Sequence, residues 1–336
     1  MNITIGIPTI NSGHYIYSSL IRVQREIMHG PSVIVPRIVV CINGTRDYGR
    51  TRSEIERFKK DAATIPVEVI EEEKQGKNCA LNRIVSHARN EHQCDIIYFF
   101  DDDISPRDRS FEKNIITLIN HEERHSLPVL VGSAMLGIER SPGHFIKLKD
   151  SFIKGGIAWF LHRVFILPYQ SDAERPKFCE GLSLGTFIRY MPDYPDDETG
   201  ITDDTFLSNY FACQGRETYF NKGIPPIIKP PGSEVFVEIS SNFSEWRQQQ
   251  VRIHAGIRRS FDHFSPEERV FLVEYFRWPY AFNRESRIWP QHLAKKKLGL
   301  YIFYLCLHAM NEWTAHYLVN NNKVPDWNTA ASQKSG

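Results

Sequence analysis

YFFDDDISP, Tyr98 to Pro106, is the stretch on which the fold turns. An apolar run, CDIIYFF, ends in three consecutive aspartates. Like charges side by side repel, so a folded chain carries such a triplet only where something accommodates it. The run before it is continuously apolar rather than alternating, which marks a strand buried on both faces. Strands of that kind belong to parallel sheets covered by helices on both sides. Such sheets take their ligands beyond the carboxyl ends of the strands. The aspartates therefore fall at the ligand-facing edge. Carboxylates there are hard oxygen donors suited to Mg²⁺ or Mn²⁺. A solvated acidic turn, with Asp103 or Ser105 capping the next helix, accounts for the triplet as well. The three residues alone do not choose.

The neighbouring chain supports the parallel sheet. ITIGIPT reads as a first strand, and SGHYIYSSLIRVQREIM, opened by Ser12, as an amphipathic helix. VIVPRIVVCIN, PVEVIEE and LPVLVGSAML read as further strands. Helical patterns over Thr51 to Asp61, KNCALNRIVSHARN and Phe111 to His121 separate them. This alternation predicts a mainly parallel, doubly wound, Rossmann-like sheet. Asn11 and Asn43, after the first two strands, fall at the same edge as the aspartates. Past residue 150 the pattern is less regular. Gly155 to Phe165 reads as helical, FCEGLSLGTFIRY as a strand broken by glycines, and DETGITDDTFLSNYFACQ as a loop entering a helix. SEWRQQQVRIHAGIRRS reads as a polar, basic helix, and the last third as helical and aromatic-rich. The expected organisation is one domain over 1–260, with a first half over 1–105 and a second over 106–260. A helical extension over 261–325 and a disordered tail over 326–336 follow.

Composition narrows the partners. The 336 residues carry a formal charge of +1, so no global field points to nucleic acid, and an anionic ligand needs a local site. None of the six cysteines forms a CxxC pair, and several lie in apolar runs, which reads as buried reduced thiols in a cytoplasmic protein. LGLYIFYLCLHAM, Leu298 to Met310, is too short an apolar run to span a bilayer. The lysines before it, Lys295 to Lys297, leave peripheral membrane contact open as a second reading.

The order of the motifs resembles that of the GT-A nucleotide-sugar glycosyltransferases, and among them glycosyltransferase family 2, over roughly residues 2 to 260. ITIGIPTINS is similar to the family's opening strand and nucleotide-contacting turn, which implicates Pro8, Thr9 and Asn11. VVCINGTRD resembles the strand whose terminal acidic residue reads the base, a place taken here by Asn43. EKQGKNCALNRIV resembles the glycine-lysine-x-x-Ala-Leu-Asn segment, which implies that Gly76, Lys77 and Asn82 lie near the nucleotide, with Lys77 in contact. YFFDDDISP resembles the DxD: Asp101 on the ribose side, Asp102 in the variable middle place at the nucleotide, Asp103 on the metal. FCEGLSLGTFIRY resembles the segment under the donor sugar, implicating Glu180 and Gly181. GITDDTFLSNYF resembles the acidic pair that opens a helix, with Asp204 as general base and Asp203 beside it. QQVRIHAG resembles QxxRW through Gln249 and Arg252, with Ile253 in place of the tryptophan. His254 stands next and is a candidate third metal ligand.

The resemblance implies an inverting, Mn²⁺- or Mg²⁺-dependent hexosyl transfer. The donor would be a nucleotide sugar, a UDP-sugar first. The acceptor would be a carbohydrate, a lipid-linked sugar or a small-molecule hydroxyl. The missing tryptophan and spanning helices argue against a processive polymer synthase. A retaining GT-A transferase, a nucleotidyltransferase and an inactive nucleotide-sugar-binding protein are the alternatives. IPTINSGHY lacks the glycine-rich phosphate loop that a nucleotidyltransferase usually carries.

Overall fold

The computed structural model describes residues 1–10, 12–44, 48–91, 93–138, 179, 183–195, 202–238, 243–276 and 298–321. Strands β1 (Asn2–Thr9), β2 (Val35–Asn43), β3 (Val67–Glu72) and β4 (Ile96–Phe100) are the apolar runs of the first hundred residues. They lie in the order β3-β2-β1-β4, parallel throughout. Helices α1 (Ile16–Met28), α2 (Tyr48–Asp61) and α3 (Lys77–Glu91) connect them. Side chains alternate along a strand, and here both faces are buried. Ile38, Val40, Ile96, Tyr98 and Phe100 enter one core with α1, α2 and the helix α4 (Ser110–His125). Val39, Cys41, Ile97 and Phe99 enter the other, with α3. The continuous apolar runs thus have the physical cause expected of them.

Two short strands follow β4. β5 (Ser105–Pro106) leaves the main sheet, and β6 (Leu130–Gly132) rejoins it. The single strand expected over LPVLVGSAML is two: the chain breaks at Ser133 and continues as β7 (Ala134–Ile138) in a second sheet. β8 (Ser183–Phe187) inserts between β4 and β6, antiparallel to both, and β9 (Ile227–Ile228) closes the seven-stranded sheet beside β6. β10 (Glu234–Glu238) pairs with β5 and β7 in the second, three-stranded sheet.

The break at Ser133 has a physical cause in contacts with distant segments. Its hydroxyl lies 2.9 Å from the Asn114 amide nitrogen, 3.1 Å from Ser183 Oγ and 2.9 Å from Ser233 Oγ. Asn114 also donates to the Tyr98 hydroxyl at 2.6 Å and accepts from Ser233 at 2.7 Å. All these side chains are buried. Their network joins the two sheets and α4, and each polar group has a partner, as burial demands. The Tyr98 ring lies across Gly185 on β8, where an added Cβ would come within 2.4 Å of it.

Helix α5 (Asp203–Gln214) opens with the acidic pair and packs beside α6 (Arg216–Lys222) and α8 (Pro266–Phe276). The basic segment forms α7 (Phe243–Phe261), and the final apolar run extends to α9 (Leu298–Asn320), packed along α7 through Val251, Ala255 and Ala315. Among the described residues no helix is long and apolar enough to cross a membrane. All six cysteines are free thiols, four of them buried. The helix expected over Gly155 to Phe165 and the tail over 326–336 lie outside the described residues.

His121 on α4 is a stability element with a pH signature. It is 6% exposed and lines a small cavity with Gly215 and Pro226, and neither ring nitrogen has a hydrogen-bond partner. Burial, with His125 adding like charge, pushes the ring from 6.5 down to about 4. In the folded state the ring stays neutral, whereas the unfolded chain takes up the proton below its higher pKa. The contribution is therefore complete above about pH 6.5 and is lost as pH falls toward 4. Urea unfolding between those limits should show the midpoint falling with pH, and His121→Leu should flatten that fall.

Candidate active site

The carboxyl edge of β1, β2 and β4 gathers most of the residues singled out from sequence. The three aspartates that follow β4 face three different ways. Asp102 turns toward the segment after β1. Thr9 Oγ1 donates to its Oδ2 at 2.5 Å, Ser12 donates a short bond to the same oxygen, and the Tyr15 hydroxyl lies 3.4 Å from Oδ1. Ser19 of α1 holds the backbone carbonyl of Asp102. Burial, then the Asp102 charge, pushes the Tyr15 phenol well above its ordinary range, which keeps it a neutral donor. Asp102 is thus the anchor of the turn, and its hydroxyl partners occupy the role in which nucleotide contact was expected. Ser12 was expected only as a helix opener and Tyr15 was not anticipated. The Ser12 carbonyl accepts the N–H groups of Tyr15 and Ile16, and regular helix begins at Ile16.

Asp101 turns the other way and meets Lys77, at the start of α3. Lys77 Nζ lies 2.8 and 2.9 Å from the two Asp101 oxygens and 3.1 Å from Asp203 Oδ2. One ammonium therefore bridges the end of β4 and the start of α5. Burial opposes the charge on Lys77, but Asp101 and Asp203 outweigh it and hold the ammonium above its ordinary range. Burial pushes the Asp101 carboxyl up and Lys77 pulls it down. Asp203 and Asp103 add like charge, and the net position is above the carboxylate range. Burial outweighs the single ammonium at Asp101, whereas two carboxylates outweigh burial at Lys77.

Asp103 is exposed and is the aspartate of the triplet that projects to solvent. Asp204 is half-buried in the first turn of α5, where its Oδ1 accepts the Thr205 N–H at 2.7 Å. Arg252 reaches this edge from α7. Burial lowers its guanidinium, and Asp204, Asp203 and Asp103, in that order, pull it back up, so all three carboxylates act on it. Tyr194 completes the floor. Its ring contacts Phe99 and Phe206, and its backbone exchanges two hydrogen bonds with Asn82, at 2.7 and 2.9 Å. Burial, then Asp203, Asp101 and Asp204, pushes its phenol well above the usual range. The asparagine of the glycine-lysine segment thus holds a tyrosine against the carboxylates, a partnership across 112 residues.

Asn43 sits at the sheet edge as expected, but its amide is committed to backbone. Nδ2 donates to the carbonyls of Glu72 and Lys74, and Oδ1 accepts the Gly76 N–H at 2.7 Å. At 3% exposure it fixes the loop that delivers Lys77, with the geometry of a loop clamp. Pro8 is buried in β1 beside Cys41. His254, on α7, is 1% exposed. Asn11, Glu180 and Gly181 lie outside the described residues, as does the side chain of Gln249, one turn before Arg252.

Among the described residues no three His, Cys, Asp or Glu side chains converge on a metal position. That arrangement still suits a hard divalent ion. Mg²⁺-type ions are commonly held by one or two carboxylates, water and the substrate's phosphates rather than by an all-protein cage. Asp103 offers an exposed carboxylate, beside Asp101, Asp203 and Asp204, and Lys77 and Arg252 oppose that charge.

The comparisons agree with this architecture. Residues 4–165 match the model of the family described as Glycosyl transferase family 2. The fold is similar to that of the mannosyltransferase PcManGT from Pyrobaculum calidifontis, solved in complex with GDP-Man and Mn²⁺. That likeness has a TM-score of 0.58 and 16% identity, over 95% of this chain and 86% of that one. S. aureus TarS gives a TM-score of 0.46 at 15% identity, over 84% of this chain and 44% of TarS. Glucosyl-3-phosphoglycerate synthase from Mycobacterium tuberculosis gives 0.39 at 15%, over 78% of this chain and 79% of that one. No curated protein matches the sequence. The chain has a GT-A-like fold, and its likeness to glycosyl transferase family 2 is carried by residues 4–165, just under half of its length.

Gly256 sets how closely α7 approaches α5. A Cβ there would lie 2.7 Å from Thr202 Cγ2 and 3.1 Å from the Thr202 backbone nitrogen, immediately before Asp203. Gly256→Ala should push the helix bearing Arg252 away from the acidic pair. Overpacking of this kind costs about 1–3 kcal/mol, readable as a lower urea midpoint.

Proposed function

We propose that the chain is a metal-dependent, inverting glycosyltransferase that moves a sugar from a nucleoside-diphosphate donor to an acceptor hydroxyl. The observation that carries this reading is the convergence of Asp101, Asp103, Asp203, Asp204, Lys77 and Arg252 at the carboxyl edge of the parallel sheet. Glycosyl transfer needs two things of such a site. The departing diphosphate gains negative charge and must be met by cations. The acceptor hydroxyl must lose a proton as it attacks.

In this reading Asp103 holds Mn²⁺ or Mg²⁺, which neutralises the leaving diphosphate when bound. Buried His254 is retained as a candidate further ligand, and Gln249, Glu180 and Gly181 as donor contacts. Arg252 adds a guanidinium whose fork matches phosphate oxygens. Asp204 accepts the acceptor proton, its place in the first helical turn favouring the ionised form. The family match ends at residue 165, so the roles given to α5 and α7 rest on motif order and on this geometry. The domain is taken as 1–260, with the helices beyond as an extension. The six free thiols suit the cytoplasm, where nucleotide sugars are made. The acceptor class stays as wide as a carbohydrate, a lipid-linked sugar or a small-molecule hydroxyl.

The donor base is the first thing to measure. UDP is the first candidate from motif resemblance, and the GDP-Man carried by the archaeal mannosyltransferase makes GDP the second. Calorimetric titration with UDP, GDP, CDP and ADP, each with Mn²⁺ and with EDTA, should show one Mn²⁺-dependent binder. Asp103→Ala should abolish that metal dependence. Asp204→Asn should keep nucleotide binding and lower transfer by roughly two to four orders of magnitude, the usual worth of a general base. Full transfer by Asp204→Asn, or a product of retained anomeric configuration, would sink the inverting reading.

A further inference from the structure

Lys77 carries a consequence beyond nucleotide contact. Its side chain emerges from the first residue of α3, just after the loop that Asn43 clamps, so its root is fixed. Its ammonium touches both oxygens of Asp101 and one of Asp203. Asp101 ends the parallel nucleotide-side sheet, and Asp203 is the first residue of α5. Asp204, the assigned base, is the next residue on that helix. The bridge spans 126 positions of sequence and links these two elements at the site. Without it, two buried carboxylates would face each other with no shared cation, and repulsion in a poorly solvated place is large.

We propose that Lys77 is a positioning residue that locks the helix carrying Asp204 to the DDD turn, rather than a ligand of the nucleotide phosphates. This rests on the transferase reading above. It follows that the donor diphosphate is met by the metal at Asp103 and by Arg252, while Lys77 remains with its carboxylates.

Three variants test it: Lys77→Met, Lys77→Arg and Asp203→Asn, with the double variant Lys77→Met/Asp203→Asn. Binding is measured by calorimetry with UDP and GDP in the presence of Mn²⁺. Turnover is measured as release of nucleoside diphosphate from the donor used by the parent chain. Thermal unfolding is measured for all. Lys77→Met should bind the preferred nucleotide within about threefold of the parent, with kcat at least about a hundredfold lower and donor KM little changed. Lys77→Arg should recover at least about tenfold of that rate, since a guanidinium can still bridge two carboxylates. The thermal midpoints should be non-additive: Asp203→Asn should restore most of the loss caused by Lys77→Met, because it removes the exposed repulsion.

A loss of nucleotide affinity of roughly thirtyfold or more in Lys77→Met, with kcat retained, would make Lys77 a phosphate ligand and overturn the proposal. Additive midpoints would overturn it as well. If Lys77→Met fails to fold, the isosteric Asp203→Asn decides: intact nucleotide binding with a reduced kcat keeps the bridge, and an unchanged kcat removes it. If the parent chain binds no nucleotide, the transferase reading falls instead, and the midpoint cycle alone judges the bridge.

Discussion

Five carboxylates at one edge of a sheet must be reconciled with burial, and the rest of the site is arranged around that constraint. A charge removed from water needs a counter-charge or several hydrogen bonds. Each aspartate of the triplet meets the requirement differently. Asp102 takes hydroxyl donors from the segment after β1. Asp101 takes an ammonium. Asp103 stays in solvent. Adjacent side chains leave a turn in different directions, so three consecutive like charges can be divided among three environments. The division also separates their surroundings: one anchors the turn, one ties it to α5, and one is exposed.

Anchoring of this kind works only if its attachments are rigid. The hydroxyls that hold Asp102 come from the end of β1 and the approach to α1, and β1 is flanked by β2 and β4 inside the parallel block. The other side is held by polar contacts between distant segments. Asn82 fixes Tyr194, Asn43 fixes the loop before Lys77, and Ser133 with its partners fixes the point where the chain leaves the main sheet. Each is an amide or hydroxyl with its hydrogen bonds satisfied, and each joins residues far apart in sequence. Buried groups so satisfied favour one arrangement over near alternatives.

These long-range contacts mark the border of what could be read from the sequence. The parallel block was legible because a strand buried on both faces must be apolar at every position, and that property is local. The acidic helix start and the basic helix were legible for the same reason. LPVLVGSAML gave no local sign of its break, because the cause lies in Asn114, Ser183 and Ser233. Strand β10 follows a proline-rich stretch and was not singled out in the sequence. Asn43 stood where a base-reading residue was expected, and only the loop closing over it shows that its amide is already engaged. Ser12 and Tyr15 left one signal that could have been followed: hydroxyl donors just after a strand, at the edge where acidic residues collect.

The charge balance also bears on the proposed metal. Lys77 is engaged by two carboxylates, and Arg252 is acted on by three. A diphosphate entering this edge would add negative charge to a cluster whose own cations are already shared. Electrostatics therefore favours binding together with a further cation, and Asp103 is the exposed carboxylate of the triplet. A site whose lysine stood apart from its aspartates could bind phosphate directly. Here the lysine joins the two halves of the site, and recognition of the leaving group falls to the groups that remain.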